Sequence, residues 1–536
     1  MIRKKLKRFT ALLCVSALAI STLSGCSKDP TAEDSTGAGK NPSATATQTA
    51  TGNTFTYAIG GDPGSNVNVI TTSDRFGLMT IKMIYSPLLM YNADGENWFL
   101  AKSVDVSDDN LTYTFHLRED VKWSDGEPFT ADDVVFTYEA MEDEKNGGWA
   151  YSQLVYDQGK VKIEKIDEYT VAMTMPFVNA SALEMLSNIF IMPKHIYENV
   201  TDFENNEFNV NPVGTGPYVM SEYSAGSYVK FSKNENYFLG TPSIDTIIFQ
   251  IIENSNTAML AIQSGEVNAW IGTPSEVQQM KIDENNLQTV AYSEGRVGYL
   301  MFNANRIKDE KVRQALLFAL NREEMNQACF LSSDNYETPW SFIPPGNEFF
   351  TKDVEKYEQN IEKSKQMLKE AGVENLKIKL GFASSDPVQQ KQAVMVQEQL
   401  KQVGVTVELA GGDATALSNA MKDPNNDYDA YFGGYIMGID PDTFSSLFES
   451  TAAFNYMHYD YPEIDKLFKQ GREETDLTKR KEIYTKLQQE LQNTGCFYPI
   501  TSNKRILVIS KNVSGIEEAK LVPVYTFEDT SKLKME

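Results

Sequence analysis

Between Asp309 and Leu409 the hydrophobic pattern switches repeatedly between the period of a helix and that of a strand. Val312, Ala315, Leu316, Ala319 and Leu320 follow Asp309 at i, i+3, i+4, i+7 and i+8, the spacing of an amphipathic helix with an acidic start. Met367, Leu368 and Ala371 belong to a second helix, which stops at Gly372. Leu376, Ile378, Leu380 and Phe382 alternate as a strand, a helix through Ala393, Val396, Leu400 and Val403 stops at Gly404, and Val405, Val407 and Leu409 form the next strand. Strands separated by helices need crossover connections, and these lay helices over a largely parallel sheet. Further helices are predicted near 464–468 and 483–491, then strands near 497–509.

The first half reads differently. The folded part begins near Phe55. Leu111, Tyr113, Phe115 and Leu117 alternate with polar residues as a half-buried strand. Thr130 is an N-cap for the helix carrying Val134, Val135 and Phe136. Tyr169, Val171, Met173 and Met175 alternate again, and Pro176 ends that strand. No repeat of 20–50 residues is visible. A strand-rich half and an α/β half of comparable size suggest two lobes with a cleft between them.

Composition narrows the function. At 536 residues, 41% hydrophobic and 23% charged, the chain can bury ordinary globular cores. A net charge of −25 argues against nucleic acid, which needs clustered Lys and Arg. The three histidines, His116, His195 and His458, are scattered, and no CxxC pairs the four cysteines, so metal chemistry and a metal cofactor are not expected. No G-x-S-x-G, H-E-x-x-H or phosphate-binding loop occurs. Gly214-Thr215-Gly216 begins like a dinucleotide loop, but Pro217 and Tyr218 follow. An enzyme is not indicated, and no cofactor is expected.

The N-terminus is an address. Arg3, Lys4, Lys5, Lys7 and Arg8 precede an apolar run from Ala11 to Ile20, the charge and apolar regions of a secretory signal. The run is shorter than the ~20 residues of a membrane-spanning helix. It ends in Leu23-Ser24-Gly25-Cys26, which resembles the lipobox of bacterial lipoproteins. That resemblance implies cleavage after residue 25 and a lipid on the Cys26 thiol. Residues 26–53 then read as a Ser/Thr/Ala/Gly/Pro-rich flexible tether reaching roughly 30 Å. The expected location is the outer face of the cytoplasmic membrane of a bacterium without an outer membrane.

Seven segments in order carry a second resemblance. The longest runs from Ala101 to Gly126 and holds Tyr113-Thr114-Phe115-His116-Leu117-Arg118 and Trp123-Ser124-Asp125-Gly126. Pro212 to Tyr218, Asn236 to Asp245, Ile262 to Val267, Val312 to Arg322, Met367 to Gly372 and Tyr461 to Asp465 follow. Together they resemble family 5 of the bacterial extracellular solute-binding proteins, the peptide receptors of ABC importers. Asn268 and Asn321 stand where that family usually has Asp. The resemblance implies a two-lobed, periplasmic-binding-protein-like α/β fold in three discontinuous parts. Domain I would comprise 54–84, 210–296 and 500–536, domain II the insertion 85–209, and domain III residues 297–499. Hinges are expected near 296–303 and 498–502. The implied function is to capture peptides and hand them to the permease of an ABC transporter, as a monomer. Oligosaccharide, nickel-chelate or opine binding, a surface hydrolase and a sensory role are the alternatives.

Peptide-binding members carry a W-x-A-D-Y-x-[DE]-P segment whose aspartate receives the peptide ammonium. Here Tyr435 takes the Trp place, Met437 follows, and Gly438 stands where that aspartate would be. Either Asp440 or Asp442 substitutes, or Asp440-Pro441-Asp442 is a turn capping a helix at 443–448. Tyr299, Phe302 and Asn303, beside the lobe crossing, and Asp62, after the first strand, are further candidate contacts; Asp62 also suits a turn with Pro63 and Gly64. Trp340 and Phe342 are either a cleft wall or core. Cys329 and Cys496 are available for a disulfide outside the cell.

Overall fold

The computed structural model describes residues 53–536 apart from 93–94, 157 and 453. The signal segment, Cys26 and nearly all of the tether lie outside the described residues. No described helix is long and apolar enough to cross a membrane.

One strand organises the molecule. Phe497–Ser510 is 14 residues long and is shared by both halves of a twelve-stranded mixed sheet. Its last part pairs with Ala269–Gly272 and with Leu287–Ser293, and its first part pairs with Val297–Phe302. The order on one side is Tyr218–Ser224, Tyr228–Lys233, Thr246–Ile251, Thr54–Ile59, Ala269–Gly272. On the other it is Val297–Phe302, Ala430–Tyr435, Lys377–Ala383, Thr406–Gly412. Each side has its own buried core, as a lobe must.

The crossover reading of the second half is met. Lys377–Ala383 runs parallel to both Thr406–Gly412 and Ala430–Tyr435, and helix Pro387–Lys401 makes one crossover. The apolar stripe read after Asp309 forms helix Glu310–Phe318, with the Asp309 side chain accepting from the Lys311 N–H. Its last two members fall beyond that helix, because a second helix, Arg322–Phe330, starts at the cap Asn321. Phe497–Ser510 is one strand where several were predicted; apolar periodicity alone does not mark where a continuous strand passes from one partner to the next.

Between helix Arg75–Ile84 and strand Tyr218–Ser224 the chain makes an excursion with a separate antiparallel sheet: Ala101–Val106, Thr112–Leu117, Thr170–Thr174, Lys162–Asp167. Helix Ala131–Glu142 packs on it, started by a reciprocal cap between Thr130 and Asp133. Trp123 is fully buried there, its indole N–H 3.4 Å from Asp133.

The structure decides between alternatives that the sequence left open. Phe342 is wholly buried among Phe444, Phe448 and Phe468, so it is core and not a cleft wall. Trp340 lies under the guanidinium of Arg322, 5.0 Å from the ring centre. Cys329 and Cys496 are both free thiols.

A candidate ligand cleft at the strand crossing

Parallel strands present their side-chain-bearing loops at their carboxyl ends, and ligands of open α/β sheets sit there. In the first lobe, register places the ends at Ile59, Ile251 and Gly272 toward the middle of the shared strand, where Gly272 faces Ile506. In the second lobe, Tyr435 faces Val297 and Gly298 faces Thr501, so the ends at Ala383, Gly412 and Tyr435 point to the same place from the opposite side. The chain passes between lobes twice here, at 294–296 and near 502–504. Two crossings at one place are where a two-lobed fold can hinge.

The first crossing is Glu294-Gly295-Arg296. Glu294 is buried and bonded to Arg75 at 2.6 Å. Gly295 has φ +65°, a conformation a side chain would strain. Arg296 lies along the adjoining strands: a Cβ on Gly434 would come within 2.2 Å of its Nη2, and one on Gly298 within 3.2 Å of its Nη1.

The loop after Tyr435 faces this crevice, but its acids are already engaged. Asp440 takes both ends of the Arg480 guanidinium, at 2.6 and 2.8 Å, and both side chains are under 10% exposed. Its Oδ1 also accepts from the Asp442 N–H at 2.8 Å, capping the short 3₁₀ turn Pro441–Phe444 that leads into helix Ser445–Phe448. Asp442 is bonded at 2.8 Å to Arg472, which also holds Glu449 at 2.9 Å. Burial pushes the Asp442 carboxyl up to about 6 despite Arg472. Of the two roles open to this triplet, the geometry fits the cap.

The other candidates are placed as follows. Tyr435 donates to the Phe342 carbonyl at 2.6 Å and, with Tyr299, packs in an aromatic cluster with Phe497; both rings are more than 90% buried. Half-buried Met437 packs against this cluster. Asn303 and Phe302 lie at the end of their strand remote from the crossing, because the strand leaves the hinge at Val297. There Asn303 is fully buried and bonds Asp429, Tyr428 and Asn305 as a turn residue. Asp62 accepts from Gly64, Tyr223 and Gly226 at 2.7–3.1 Å; burial raises its pKa, those bonds lower it further, and the net shift is down. It holds a turn. Gly438 is exposed in the crevice loop.

Sequence reasoning missed Glu184, on helix Ala182–Ser187 of the inserted layer. It reaches the second lobe, where its Oε1 lies 3.4 Å from the Ile439 N–H and 3.3 Å from where a Gly438 Cβ would stand. Burial and then the Asp440 charge push its carboxyl up to about 7, against the Ile439 and Asp440 N–H groups and Arg480. The Ala180 N–H also crosses, donating to the Arg472 carbonyl at 2.7 Å. No local pattern in the sequence marks either contact. A polar cavity of about 310 Å³, lined by Asn305, Lys422, Ser450, Tyr456, His458 and Asp460, lies beyond Asn303, away from the crossing.

The model of the bacterial extracellular solute-binding proteins, family 5, matches residues 98–456. The chain belongs to family 5 of the bacterial extracellular solute-binding proteins. These serve ABC transporters and are not enzymes. The chain is 32% identical over 430 residues to the oligopeptide-binding protein AppA of Bacillus subtilis, covering 75% of this chain and 78% of AppA. The crystal structure of the ABC transporter substrate-binding protein CtaP from Listeria monocytogenes superposes with a TM-score of 0.86 at 37% identity, covering 90% of this chain and 99% of CtaP. AppA of Bacillus subtilis in complex with a nonapeptide gives 0.76 at 28% identity, over 90% and 99%. The family fold has two lobes, as the shared strand and its two crossings require.

Proposed function

We propose that this family member is a lipid-anchored receptor that captures peptides outside the membrane and delivers them to the transmembrane subunits of an ABC importer. The observation that carries this reading is the convergence of both lobes' strand ends on a doubly crossed hinge. Such a site encloses a solute by closing and needs no reacting group. The relation to AppA supports a peptide as that solute. Cys26 carries the lipid, and residues 26–53 form the tether. The body divides into domain I (54–84, 210–296, 500–536), inserted domain II (85–209) and domain III (297–499), and acts as a monomer.

The test is a binding assay on the mature body with mixed peptides, against an oligosaccharide, a nickel–histidine chelate and an opine. Peptides at 100 times their Kd should stabilise the protein by about 2.7 kcal/mol. At ~2.1 cal/mol/K per residue, that raises a cooperative melt by about 2–3 °C. Peptides should be recovered intact and the radius of gyration should fall. A shift with one of the other solutes and none with peptides sinks the peptide reading; cleaved peptide sinks the receptor reading. Cys26→Ala should release the chain from membranes or leave it unprocessed. A membrane-bound variant of wild-type size would refute the anchor.

A further inference from the structure

The charged groups at the crossing are unequally satisfied. Glu294 has Arg75, Asp440 has Arg480, and Asp442 and Glu449 share Arg472. Arg505, farther along the shared strand, lies near Glu276 and helps to lower its pKa, although burial there acts the other way first, and the buried Nε of Arg505 has no hydrogen-bond partner among the described residues. Arg296 is set apart by the surface it lies on. Among the described residues its guanidinium has no hydrogen-bond or ion-pair partner, and its electrostatic neighbour is Tyr299, a neutral phenol held far above its ordinary pKa by burial. The side chain is half-buried and lies on bare backbone: Gly298 and Gly434 are the paired residues beneath it. Both positions lack the Cβ that would push it away, so two strands have been kept clear for a flat cation.

A guanidinium held flat at the floor of a closing crevice offers its outward N–H groups as a fork. The ligand for such a fork is a carboxylate, which matches it with two parallel bonds. Lobe closure removes water from this floor, and a carboxylate losing its water must find a cation. With the nearby acids already engaged, the protein supplies Arg296 with none. We propose that Arg296 is the anion contact of the cleft and receives a carboxylate of the bound solute, for a peptide its C-terminal one. This rests on reading the crevice as a peptide cleft, and it adds a polarity to that reading: one end of the solute lies against the crossing between lobes.

The test uses two libraries of the same tri- to pentapeptides, one with free C-termini and one amidated. Each is titrated against wild type, Arg296→Gln and Arg296→Lys. Wild type should prefer free acids by roughly 10- to 100-fold, the range for one charge-assisted contact. Arg296→Gln should bind acids and amides alike, at the wild-type amide level, with its ligand-free melt unchanged within about 1 °C. Arg296→Lys keeps the charge without the fork and should fall between the two. Equal binding of acids and amides by wild type, or an acid preference that survives in Arg296→Gln, overturns this inference alone. Binding of neither library to wild type overturns the peptide reading and this inference with it.

Discussion

Replacing Asp440 by Asn separates a structural carboxylate from a ligand-binding one. In the protein, Asp440 and Arg480 meet end to end at 2.6 and 2.8 Å with side chains 9% and 7% exposed. The Arg480 Nε also donates to the Gly471 carbonyl at 2.7 Å, so the guanidinium cannot turn to another acid without losing that bond. Asn is nearly isosteric, but it leaves the Arg480 charge buried without its counter-ion. Breaking a buried pair from one side costs about 3–5 kcal/mol. Unfolding entropy of ~2.1 cal/mol/K per residue over roughly 480 folded residues is about 1 kcal/mol/K. The ligand-free melt should therefore fall by about 3–5 °C, and by about twice that if the second lobe unfolds alone. Calorimetry reads this directly, and the Asp440→Asn/Arg480→Met double variant should recover part of the loss, because the two changes act on one contact. Peptide affinity should change little once the variant is folded. An unchanged melt with binding weakened tenfold or more would refute the reasoning: Asp440 would then be the acceptor of a peptide ammonium, and the pair with Arg480 a minor contact.

Two further outcomes follow from the same crevice. Gly434→Ala places a Cβ 2.2 Å from the present Arg296 Nη2; the flexible side chain should move aside, with a melt shift under about 1 °C and loss of the preference for free-acid peptides, and a retained preference would show that the guanidinium does not act from this floor. Glu184 is raised from 4.5 to about 7 by burial and the Asp440 charge, so if its contact with Ile439 forms only on closure, closure should be coupled to proton uptake there. A carboxyl raised in the closed state favours that state fully below about pH 4.5, progressively less as pH rises to 7, and no less above it. The effect on affinity is at most about 3 kcal/mol, reduced by the part of the side chain that water reaches. Titrations from pH 4.5 to 8 should show this decline in wild type and a flat profile in Glu184→Gln; parallel profiles would rule the contact out as a closure latch.

The elements of this protein were legible wherever their cause is local. Asp309 caps its helix, Thr130 and Asp133 cap each other, and Leu380 alternates with its neighbours because periods and caps depend on residues a few places apart. The parallel second half followed from alternation alone, and the family resemblance extended the two-lobed reading to the whole chain. The roles of the site residues were not legible, because each is set by a partner far along the sequence. Asp440 finds Arg480 forty residues on and Asp442 finds Arg472 thirty on, whereas the residues themselves allowed either cap or ligand. Glu184 meets Ile439 across 255 residues. Tyr299 and Asn303 share the segment next to the crossing, yet register buries the tyrosine with Tyr435, and strand direction carries the asparagine to the far end. Arg296 has no motif; its place depends on Gly298 pairing with Gly434, a contact between strands that only the folded sheet brings together. Local periodicity decides which segments become helices and strands, while direction, register and distant charge pairs decide which side chains remain available to a solute, and those are properties of the assembled fold.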